Sequence, residues 1–482
     1  MTLTSQGCRT LNMRWRQATR HPGWVTVMWW RGSRTLMMVL LLAVVCYTSI
    51  RLVSVTMELE NVRRGHKVTL VDNSRPVGFV PVPHNSTNST GYKYTFKYSS
   101  FPQYKDFPID CRRMFEGDMV ACEKAGEIRK NVAYKLPSDH DVYKEAIFCE
   151  SFIARHGYGS SPVSEEEKAF PIAYSILLYK DVAQVNLLLK AIYRSHNVYC
   201  LHVDGKSDQS VHLAAKAVSD CLKNVFIVSK TESVVYAGFT RLQADINCMA
   251  DLTASPVDWK YFINLPSQQY PLKTNAEIVK ILKIYNGSND IEGITGARML
   301  SERFVYKHVY IKKTNSKILI KRTEEKNPPA PHNITTVKGS AYGVFSRAFV
   351  DFILNDIRAR DLLQWSKGVL SPDEYYWATL HHSAILNPPG GYTGKPDDKD
   401  WLATYASWAP EHCAGRRLRG VCVFTEGDLS FLATKRALFA NKFLLPGSSV
   451  ALMCLEQWIH NKSLSDLPFD SYYYQQLPFV KH

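Results

Sequence analysis

The sequence predicts an α/β fold whose centre is a mostly parallel, doubly wound sheet flanked by helices. Two features of residues 170–285 support this prediction. Short apolar segments alternate there with longer segments of helical periodicity. Each apolar segment is also followed by enough chain for a crossover helix, and such connections are right-handed and leave successive strands parallel. The apolar fraction of 45% is ordinary for a globular protein, so the chain can bury a sizeable core.

The expected elements follow one another in a regular order. Strands are predicted at residues 172–179, 198–203, 225–228, 261–265 and 339–345, and helices at 182–193, 211–222, 242–252, 275–284 and 349–365. Residues 111–168 are expected to be mostly helical, and the Lys-rich segment 307–326 less regular. Because ligands bind such sheets at the carboxyl ends of the strands, residues 177–179 and 204–206 are predicted to share one rim. The sequence contains neither G-x-G-x-x-G nor a Walker loop, so nothing supports a dinucleotide or P-loop site.

The N-terminal segment has the features of a retained signal-anchor. Six Arg and no acidic residue precede residue 35, and residues 36–53 are mostly apolar apart from Arg51. This length suits a thin membrane, and no convincing cleavage site follows it. The positive-inside rule then predicts a cytosolic tail at residues 1–34, a transmembrane helix at 35–53 and a lumenal remainder, as in a type II membrane protein.

The lumenal part is expected to consist of a stem and one large folded domain. Residues 54–108 are polar and are predicted to form an extended or poorly ordered stem. Residues 109–482 are predicted to form the folded domain. The formal net charge of +15 is spread along the chain without an RNA-binding or finger motif, so nucleic acid is not an expected partner. A modest attraction to anionic donors or membrane surfaces is expected instead.

Cysteines and sequons agree with a lumenal location. Nine cysteines follow the predicted anchor, and in an oxidising compartment they indicate up to four disulfides with one cysteine left over. No C-x-x-C pair or histidine spacing supports a zinc site. Sequons follow the anchor at Asn85, Asn88, Asn286, Asn333 and Asn461. The chain is therefore predicted to enter the secretory pathway.

The candidate site is centred on residues 371–377, SPDEYYW. A carboxylate held beside an apolar wall can act as a general base near neutral pH. Arg419 and Lys442 lie downstream and are suited to binding a diphosphate leaving group. The alternative for the pair Asp373-Glu374 alone is a solvated helix N-terminus, where acidic side chains suit the helix dipole.

Several motifs, which occur in order along residues 110–460, resemble the core 2/I-branching β-1,6-N-acetylglucosaminyltransferase family. They are FPIAYSILLY (170–179), NVYCLHVDGKS (197–207), SVVYAGFTRLQADINCM (233–249), WKYFINL (259–265), GSAYGVFSR (339–347), SPDEYYWATL (371–380), GVCVF with GDL (420–429) and LFANKF (438–443). The resemblance implies a Golgi-resident, inverting glycosyltransferase of GT-A type with a Rossmann-like sheet. Its implied donor is UDP-N-acetylglucosamine.

The resemblance also implies roles for individual residues. Glu374 corresponds to the catalytic base, and Arg419 and Lys442 correspond to the cations that hold the diphosphate in place of a metal. The rest of the donor pocket is implied at Leu177, Leu178, Tyr179, Asp204, Gly205, Lys206 and Tyr236, and the acceptor contacts at Glu292, Arg303 and Trp408. The implied disulfides are Cys111–Cys454, Cys149–Cys221, Cys200–Cys248 and Cys413–Cys422, which leaves Cys122 unpaired.

No metal or other cofactor is expected. Most GT-A enzymes bind Mn²⁺ through Asp-x-Asp, whereas the corresponding position here is Asp204-Gly205-Lys206, whose lysine repels a cation. The clear Asp-x-Asp, at residues 398–400, lies in a loop rich in Gly, Pro and Asp and is interpreted as solvated. Two fixed cations are expected to replace the charge of the metal.

The sequence also departs from the family pattern. Residues 266–271 read PSQQYP where relatives usually carry C-G-x-D-F-P, while Leu300 and Pro410 replace a Lys and a Tyr of the mucin-core enzymes. These changes are expected to leave the donor side intact and to affect the acceptor. The loop from Trp408 to Cys413 is shorter than the family pattern implies.

Three functions are consistent with these observations. The first is β-1,6 transfer of N-acetylglucosamine to the GalNAc of core 1 mucin-type O-glycans, and the second is the same transfer to galactose of poly-N-acetyllactosamine. The third is a lumenal protein that binds the donor without turnover. The expected partners are UDP-N-acetylglucosamine, a glycan on a glycoprotein and the Golgi membrane, and a homodimer stays open.

Overall fold

A computed structural model of the chain describes residues 101, 104–131, 136–312, 318–398, 400–465 and 468–480. The predicted tail, anchor and most of the stem, with the sequons at Asn85 and Asn88, lie outside these ranges. No helix within the described ranges combines the length and the apolar character needed to span a membrane. The described residues belong to one compact unit, residues 79–482.

The strands are labelled in chain order. They are β1 Ile172–Leu178, β2 Val198–Val203, β3 Val225–Ile227, β4 Tyr261–Pro266, β5 Gln269–Pro271, β6 Asp290–Ile291, β7 Tyr306–Lys312, β8 Ile318–Lys326, β9 Gly343–Ser346, β10 Thr404–Tyr405, β11 Arg417–Leu418, β12 Val421–Cys422 and β13 Phe439–Asn441.

The helices are labelled in the same way. They are α1 Cys111–Phe115, α2 Met119–Asn131, α3 Asp139–Ala146, α4 Cys149–His156, α5 Glu165–Lys168, α6 Val182–Ile192, α7 Gln209–Asp220, α8 Phe239–Ala254, α9 Asn275–Tyr285, α10 Glu302–Val305, α11 Arg347–Asn355, α12 Ile357–Trp365, α13 Asp373–His381, α14 Leu429–Ala433, α15 Ser449–Ser463 and α16 Ser471–Gln475. Short 3₁₀ helices occur at Gly296–Met299, Pro331–Asn333, Ser366–Gly368, Pro396–Asp398 and Glu426–Asp428.

The main sheet of the described residues has the strand order β3-β2-β1-β4-β9-β6. The first four of these strands are parallel, and β9 runs antiparallel to β4 and β6. The predicted mixed α/β fold with a mostly parallel sheet is therefore confirmed. A smaller sheet has the order β10-β13-β5, and β7–β8 and β11–β12 form separate two-stranded pairs.

The central strand β1 is buried along its whole length, as expected for a strand covered by helices on both faces. Alternate residues of a strand point to opposite faces. Accordingly, Tyr174 and Ile176 belong to one apolar cluster, whereas Ala173 belongs to another. The predicted strands and helices between residues 170 and 285 agree with the structure to within three residues at their ends.

Two expectations about the second half of the chain were wrong. The single amphipathic helix at residues 349–365 is two helices, α11 and α12, because Asp356 adopts an extended conformation between them. Its carboxylate accepts a hydrogen bond of 2.8 Å from the amide of Arg358 and so caps α12. Within the segment 307–326, which was predicted to be less regular, residues 307–312 and 318–326 form the paired strands of the hairpin β7–β8.

The folded domain extends upstream of residue 109. Phe101 and Tyr104, which the sequence places in the stem, are 2% and 3% exposed and join the apolar cluster around α1 and α15. The hydroxyl of Tyr104 lies 2.8 Å from that of Ser449. The domain therefore begins no later than Phe101.

Disulfides connect distant segments of the described chain. The pairs are Cys111–Cys454, Cys149–Cys221, Cys200–Cys248 and Cys413–Cys422, as the resemblance implied, and Cys122 is free and buried. The sequons at Asn286 and Asn333 lie on exposed residues, whereas Asn461 is half-buried within α15. Their modification stays a prediction.

Candidate active site

The ends of β1 and β2 form one rim of the site. Leu177 and Leu178 are buried and Tyr179 is half exposed, whereas Asp204 follows β2 and donates its amide to the carbonyl of Leu178 at 2.9 Å. The carboxylate of Asp204 accepts hydrogen bonds of 3.0 Å from the amides of Lys206 and Val234. This carboxylate is therefore occupied in shaping a turn.

A second segment packs closely against the glycine of the turn after β2. The amide of Gly205 donates to the carbonyl of Glu232 at 2.9 Å. A Cβ atom at Gly205 would lie 3.1 Å from the hydroxyl of Ser233. The ammonium of Lys206 donates to the carbonyl of Val234, which ties the turn to residues 232–238.

Residues 232–238 lead to the two predicted cations. The guanidinium of Arg419 lies 4.0 Å from the centroid of the Tyr236 ring, a cation–π contact, and Tyr236 itself is 70% exposed. Lys442 is half-buried, and its ammonium donates to the carbonyl of Leu418 at 3.4 Å. Burial lowers the pKa of Lys442, and the nearby positive charge of Arg419 lowers it further. The two cations thus lie close enough to repel each other, and an anion bound between them reduces this repulsion.

Trp408 lies beside this cationic pair. It forms an isolated bridge with Val421 and is 55% exposed. A Cβ atom at Gly420, which has φ of +82°, would lie 3.2 Å from the Trp408 ring. The disulfide Cys413–Cys422 closes the loop that carries Arg419. The structure therefore places the predicted acceptor residue Trp408 next to the donor cations.

Glu374 lies in the first turn of α13 with its side chain one-third exposed. Its Oε2 atom accepts a hydrogen bond of 2.8 Å from Nη1 of Arg303. The ammonium of Lys338 lies 3.3 Å from the same oxygen. Glu374 is thus flanked by two cations and is not the carboxylate of the pair that lies in an apolar environment.

The apolar environment belongs to the preceding residue instead. Asp373 is 7% exposed, and burial raises its pKa to about 6 despite the nearby guanidinium of Arg241. Nε of Arg241 lies 4.0 Å from Asp373, and Nη1 lies 2.6 Å from the carboxylate of Asp245. Asp245 in turn accepts hydrogen bonds of 3.0 Å from Ser175 of β1 and Asn264 of β4. This buried network anchors the start of α13 to the main sheet.

The third predicted acceptor residue, Glu292, lies next to α13. A Cβ atom at Gly339 would lie 2.2 Å from the carbonyl oxygen of Glu292 and 2.9 Å from Cβ of Ala378. The amide of Gly339 donates to the carbonyl of Glu374 at 2.6 Å. Only glycine fits between these two segments, so Glu292 and Glu374 are held side by side.

The structure joins the donor residues and the base. The amide of Ser371 donates to the carbonyl of Ala237 at 2.7 Å, and Ser371 accepts from the amide of Glu374 at 2.9 Å. Ala237 follows Tyr236, on which Arg419 stacks. The predicted site residues therefore form two groups, one around Arg419 and one around Glu374, and residues 236–237 contact both groups.

The altered segment 266–271 contacts the donor side. The amide of Ser267 donates to the carbonyl of Leu177 at 2.9 Å, and Gln268 accepts from the amide of Phe443 at 2.8 Å. Gln269 pairs with Asn441, the neighbour of Lys442. The departure from the family pattern therefore lies beside residues that are predicted to bind the donor, and its effect on either substrate stays a prediction.

Sequence reasoning missed two cations of the site. Lys338 directly precedes the motif at residues 339–347, and Arg241 lies inside the motif at 233–249. Their position within or beside motifs that resemble the family could have indicated that these two residues belong to the site. The i,i+4 spacing of Arg241 and Asp245 at the start of a predicted helix was a further signal, whereas the approach of Arg241 to Asp373 and of Lys338 to Glu374 is revealed by the fold.

The described part of the chain contains no cluster of three or more His, Cys, Asp or Glu side chains arranged to hold a metal ion. Of the Asp-x-Asp at residues 398–400, Asp398 ends a 3₁₀ helix and Asp400 accepts a hydrogen bond of 3.0 Å from the hydroxyl of Tyr473. The central Lys399 lies outside the described residues.

Comparison with known proteins gives a consistent result. A family model described as "Core-2/I-Branching enzyme" matches residues 172–433. Over 376 residues the chain is 37% identical to β-1,3-galactosyl-O-glycosyl-glycoprotein β-1,6-N-acetylglucosaminyltransferase 4 of Mus musculus, which covers 75% of this chain and 82% of that protein. It is 39% identical over 353 residues to N-acetyllactosaminide β-1,6-N-acetylglucosaminyl-transferase of Homo sapiens, covering 72% and 83%. The names of these relatives share one transferred sugar and one linkage but differ in the acceptor.

Proposed function

Since the chain belongs to the Core-2/I-branching enzyme family of β-1,6-N-acetylglucosaminyltransferases, we propose that it transfers N-acetylglucosamine from UDP-N-acetylglucosamine to the GalNAc of core 1 O-glycans on glycoproteins. The observation that supports this most is the series of contacts that links Arg419, which lies near Lys442, through Tyr236 and Ala237 to the turn that leads into Glu374. One carboxylate and two cations are what a single displacement with inversion requires.

In this mechanism Glu374 removes the proton from the 6-hydroxyl of the acceptor sugar. Both cations at this carboxylate contact Oε2, which leaves Oε1 to accept the proton. The acceptor oxygen then attacks the anomeric carbon while the bond from that carbon to UDP breaks. Arg303 and Lys338 hold the carboxylate in one orientation during the step.

The negative charge of the departing UDP develops between Arg419 and Lys442. The guanidinium of Arg419 is fixed by stacking on Tyr236, and the burial of Lys442 strengthens its attraction to a diphosphate. Two fixed charges supply the stabilisation for which a bound metal is used in many other glycosyltransferases. Metal-independent transfer is therefore part of the proposal, as is a GT-A-type arrangement of the sheet.

Transfer to galactose of poly-N-acetyllactosamine is the second candidate. It is favoured by the 39% identity to the human N-acetyllactosaminide transferase. The O-glycosyl-glycoprotein transferases of Mus musculus and Danio rerio are 37% identical to the chain, so identity alone does not separate the acceptors.

Residence in the Golgi membrane as a type II protein belongs to the same proposal. The basic segment before residue 35 and the apolar segment 36–53 support it, as do the disulfides of the domain.

The proposed function is tested with the purified protein, UDP-N-acetylglucosamine and two acceptors, a core 1 disaccharide glycoside and a linear poly-N-acetyllactosamine. Product with the core 1 glycoside, with the new sugar on the 6-hydroxyl of GalNAc, is the expected result. Product with poly-N-acetyllactosamine alone would contradict the core 1 assignment in favour of the second candidate. Absence of product with both, despite donor binding, would contradict transfer itself.

A further inference from the structure

The hairpin β7–β8 and the residues that lead into it expose a concentration of apolar side chains. Of the twenty large apolar side chains that are well exposed in the described residues, six lie between residues 300 and 318. They are Leu300, Val305, Val309, Tyr310, Ile311 and Ile318. Single exposed apolar residues are ordinary, but a contiguous patch marks a surface that contacts another molecule.

The two faces of the hairpin differ. Tyr310 pairs with Ile320 across the strands, and both side chains approach Gly238 at the start of α8, where a Cβ atom would lie 2.7 Å from the Tyr310 hydroxyl. Val309 and Ile311 alternate with Tyr310 and therefore point away from α8. Val309 lies opposite Lys321. We call the side that bears Val309, Ile311 and Lys321 the outer face.

The hairpin is also strongly basic. The sequence of residues 306–326 contains seven Lys or Arg and two Glu. Lys307 and Arg322 form ion pairs with glutamates, at 2.9 and 3.4 Å. Lys312, Lys321 and Lys326 are exposed and have no ion pair within the described residues. Lysines on an exposed strand also discourage aggregation, but that role gives no reason to expose Val309 and Ile311 beside them.

The base of the hairpin is fixed to the acceptor side of the site. Strand β7 directly follows α10, which carries Arg303. Beyond β8, the side-chain amide of Asn327 donates to the carbonyls of Phe304 at 2.9 Å and Gly368 at 3.2 Å. The amide of Leu370 donates to the carbonyl of Arg303 at 2.8 Å. The hairpin therefore extends from the residues that flank Glu374.

We propose that the outer face of β7–β8 binds the polypeptide of the glycoprotein acceptor, at an acidic stretch near the glycosylated residue. The inference rests on the proposed function and deepens it. Aliphatic side chains such as Val309 and Ile311 bury aliphatic and aromatic groups of a peptide, which a sugar lacks. The unpaired Lys321 beside them is complementary to a carboxylate, and this attraction weakens as salt rises.

The test compares the double variant Val309→Ser/Lys321→Glu, both changes on the outer face, with the native chain and with Lys124→Glu, an exposed lysine of α2. Three acceptors carry the same core 1 disaccharide, on a small aglycone, on a neutral peptide and on an acidic peptide of equal length. Direct binding of the acidic glycopeptide is followed by fluorescence anisotropy, so the readout does not depend on turnover. Val309 and Lys321 are both exposed, and their exchange does not disturb the core.

The expected result is about a tenfold rise in the Kd and KM of the acidic glycopeptide for the double variant, since the reversed charge and the lost apolar contact each cost a fraction of this factor. The kcat/KM of the double variant for the small glycoside stays within about twofold of the native value, a difference below 0.5 kcal/mol. The Kd and kcat/KM of Lys124→Glu stay within the same range for all three acceptors.

Unchanged binding of the acidic glycopeptide would overturn the proposal, and so would an equal loss with all three acceptors. A parallel measurement with vesicles containing an anionic lipid addresses the other source of negative charge. Loss of vesicle binding without loss of glycopeptide binding would overturn the proposal and assign the surface to a membrane. If the native chain bound the acidic glycopeptide but transferred no sugar, the proposed function would fail while the docking surface stood.

Discussion

The amide of Ser371 donates a hydrogen bond of 2.7 Å to the carbonyl of Ala237, and this bond joins the two halves of the site. On one side Ala237 continues from Tyr236, on which Arg419 stacks. On the other side Ser371 begins the turn that leads into Glu374. Groups that are distant in sequence are thus held around one short segment, as a reaction between a donor and an acceptor requires.

The cationic pair is tested by Arg419→Ala and Lys442→Ala, with Arg416→Ala as a control on the same loop. Each site variant is expected to lower kcat/KM for the donor by about 10- to 100-fold, since hydrogen bonds to charged groups contribute about 1.5–3 kcal/mol. Initial rates at varied donor concentration give this ratio. Equal kinetics for Arg416→Ala and Arg419→Ala would contradict the assignment.

The same pair predicts a pH effect. Burial and then the positive charge of Arg419 lower the pKa of Lys442 in the native protein. Lys442 therefore loses its charge at a lower pH than an ordinary lysine, and donor affinity should fall on the alkaline side. In Arg419→Ala one of these causes is removed, so the alkaline limb of the profile should move to higher pH. A limb that stays fixed or moves to lower pH would show that the two side chains do not interact.

Metal removal tests how the leaving group is stabilised. Because Arg419 and Lys442 supply two positive charges and Lys206 lies beside Asp204, activity is expected to persist in excess EDTA. Initial rates are measured with EDTA and after addition of Mn²⁺, and a manganese-dependent glycosyltransferase serves as the control for chelation. Activity that disappears with EDTA and returns with Mn²⁺ would contradict this prediction.

Gly339→Ala tests the contact between Glu292 and α13. The new methyl group would lie 2.2 Å from the carbonyl oxygen of Glu292, so the two segments must separate. A displacement of about 1 Å is expected to lower kcat/KM for the acceptor by about 100-fold, while UDP binding is retained. Gly447→Ala is the matched control, because the nearest atom there is 3.6 Å away. Native acceptor kinetics in Gly339→Ala would refute the close packing.

Asp373→Asn tests the buried network. Burial raises the pKa of Asp373 from 3.8 to about 6, so the folded state favours the protonated form. The protonated carboxyl therefore contributes at most about 3 kcal/mol to the free energy of unfolding below pH 4. This contribution is lost as the pH rises through 6. Relative to native protein, Asp373→Asn should therefore be more stable at pH 7.5 than at pH 4.

Denaturant unfolding at the two pH values measures this difference, and the exposed Asp106→Asn serves as the control. A variant that loses more stability at pH 7.5 than at pH 4 would show that ionised Asp373 stabilises the fold. Activity assays of the same protein then report whether the network also orients Glu374.

The order of strands and helices between residues 170 and 285 was predictable because buried parallel strands such as β1 and β2 are continuous apolar runs. The break at Asp356 was not, since the surrounding residues keep helical periodicity and only the capping bond interrupts it. The hairpin β7–β8 was missed because its many lysines obscured the alternation of its apolar residues.

The site residues were predicted through the resemblance, but their environment was not. The ion pair of Lys338 with Glu374 depends on the bridge between Ile294 and Lys338, residues far apart in sequence. Sequence adjacency likewise gave no reason to place Asp373, rather than Glu374, in the buried position. Such pairings are set by tertiary contacts that periodicity does not encode.

The measurement that bears most directly on the account is the turnover of Glu374→Gln with UDP-N-acetylglucosamine and the preferred acceptor, alongside its affinity for UDP. Glu165→Gln, whose side chain is 88% exposed on α5, is the control. The account predicts that kcat falls by about 100-fold or more while the Kd for UDP stays near the native value. Turnover at the native rate in Glu374→Gln would contradict the assignment of this carboxylate as the base.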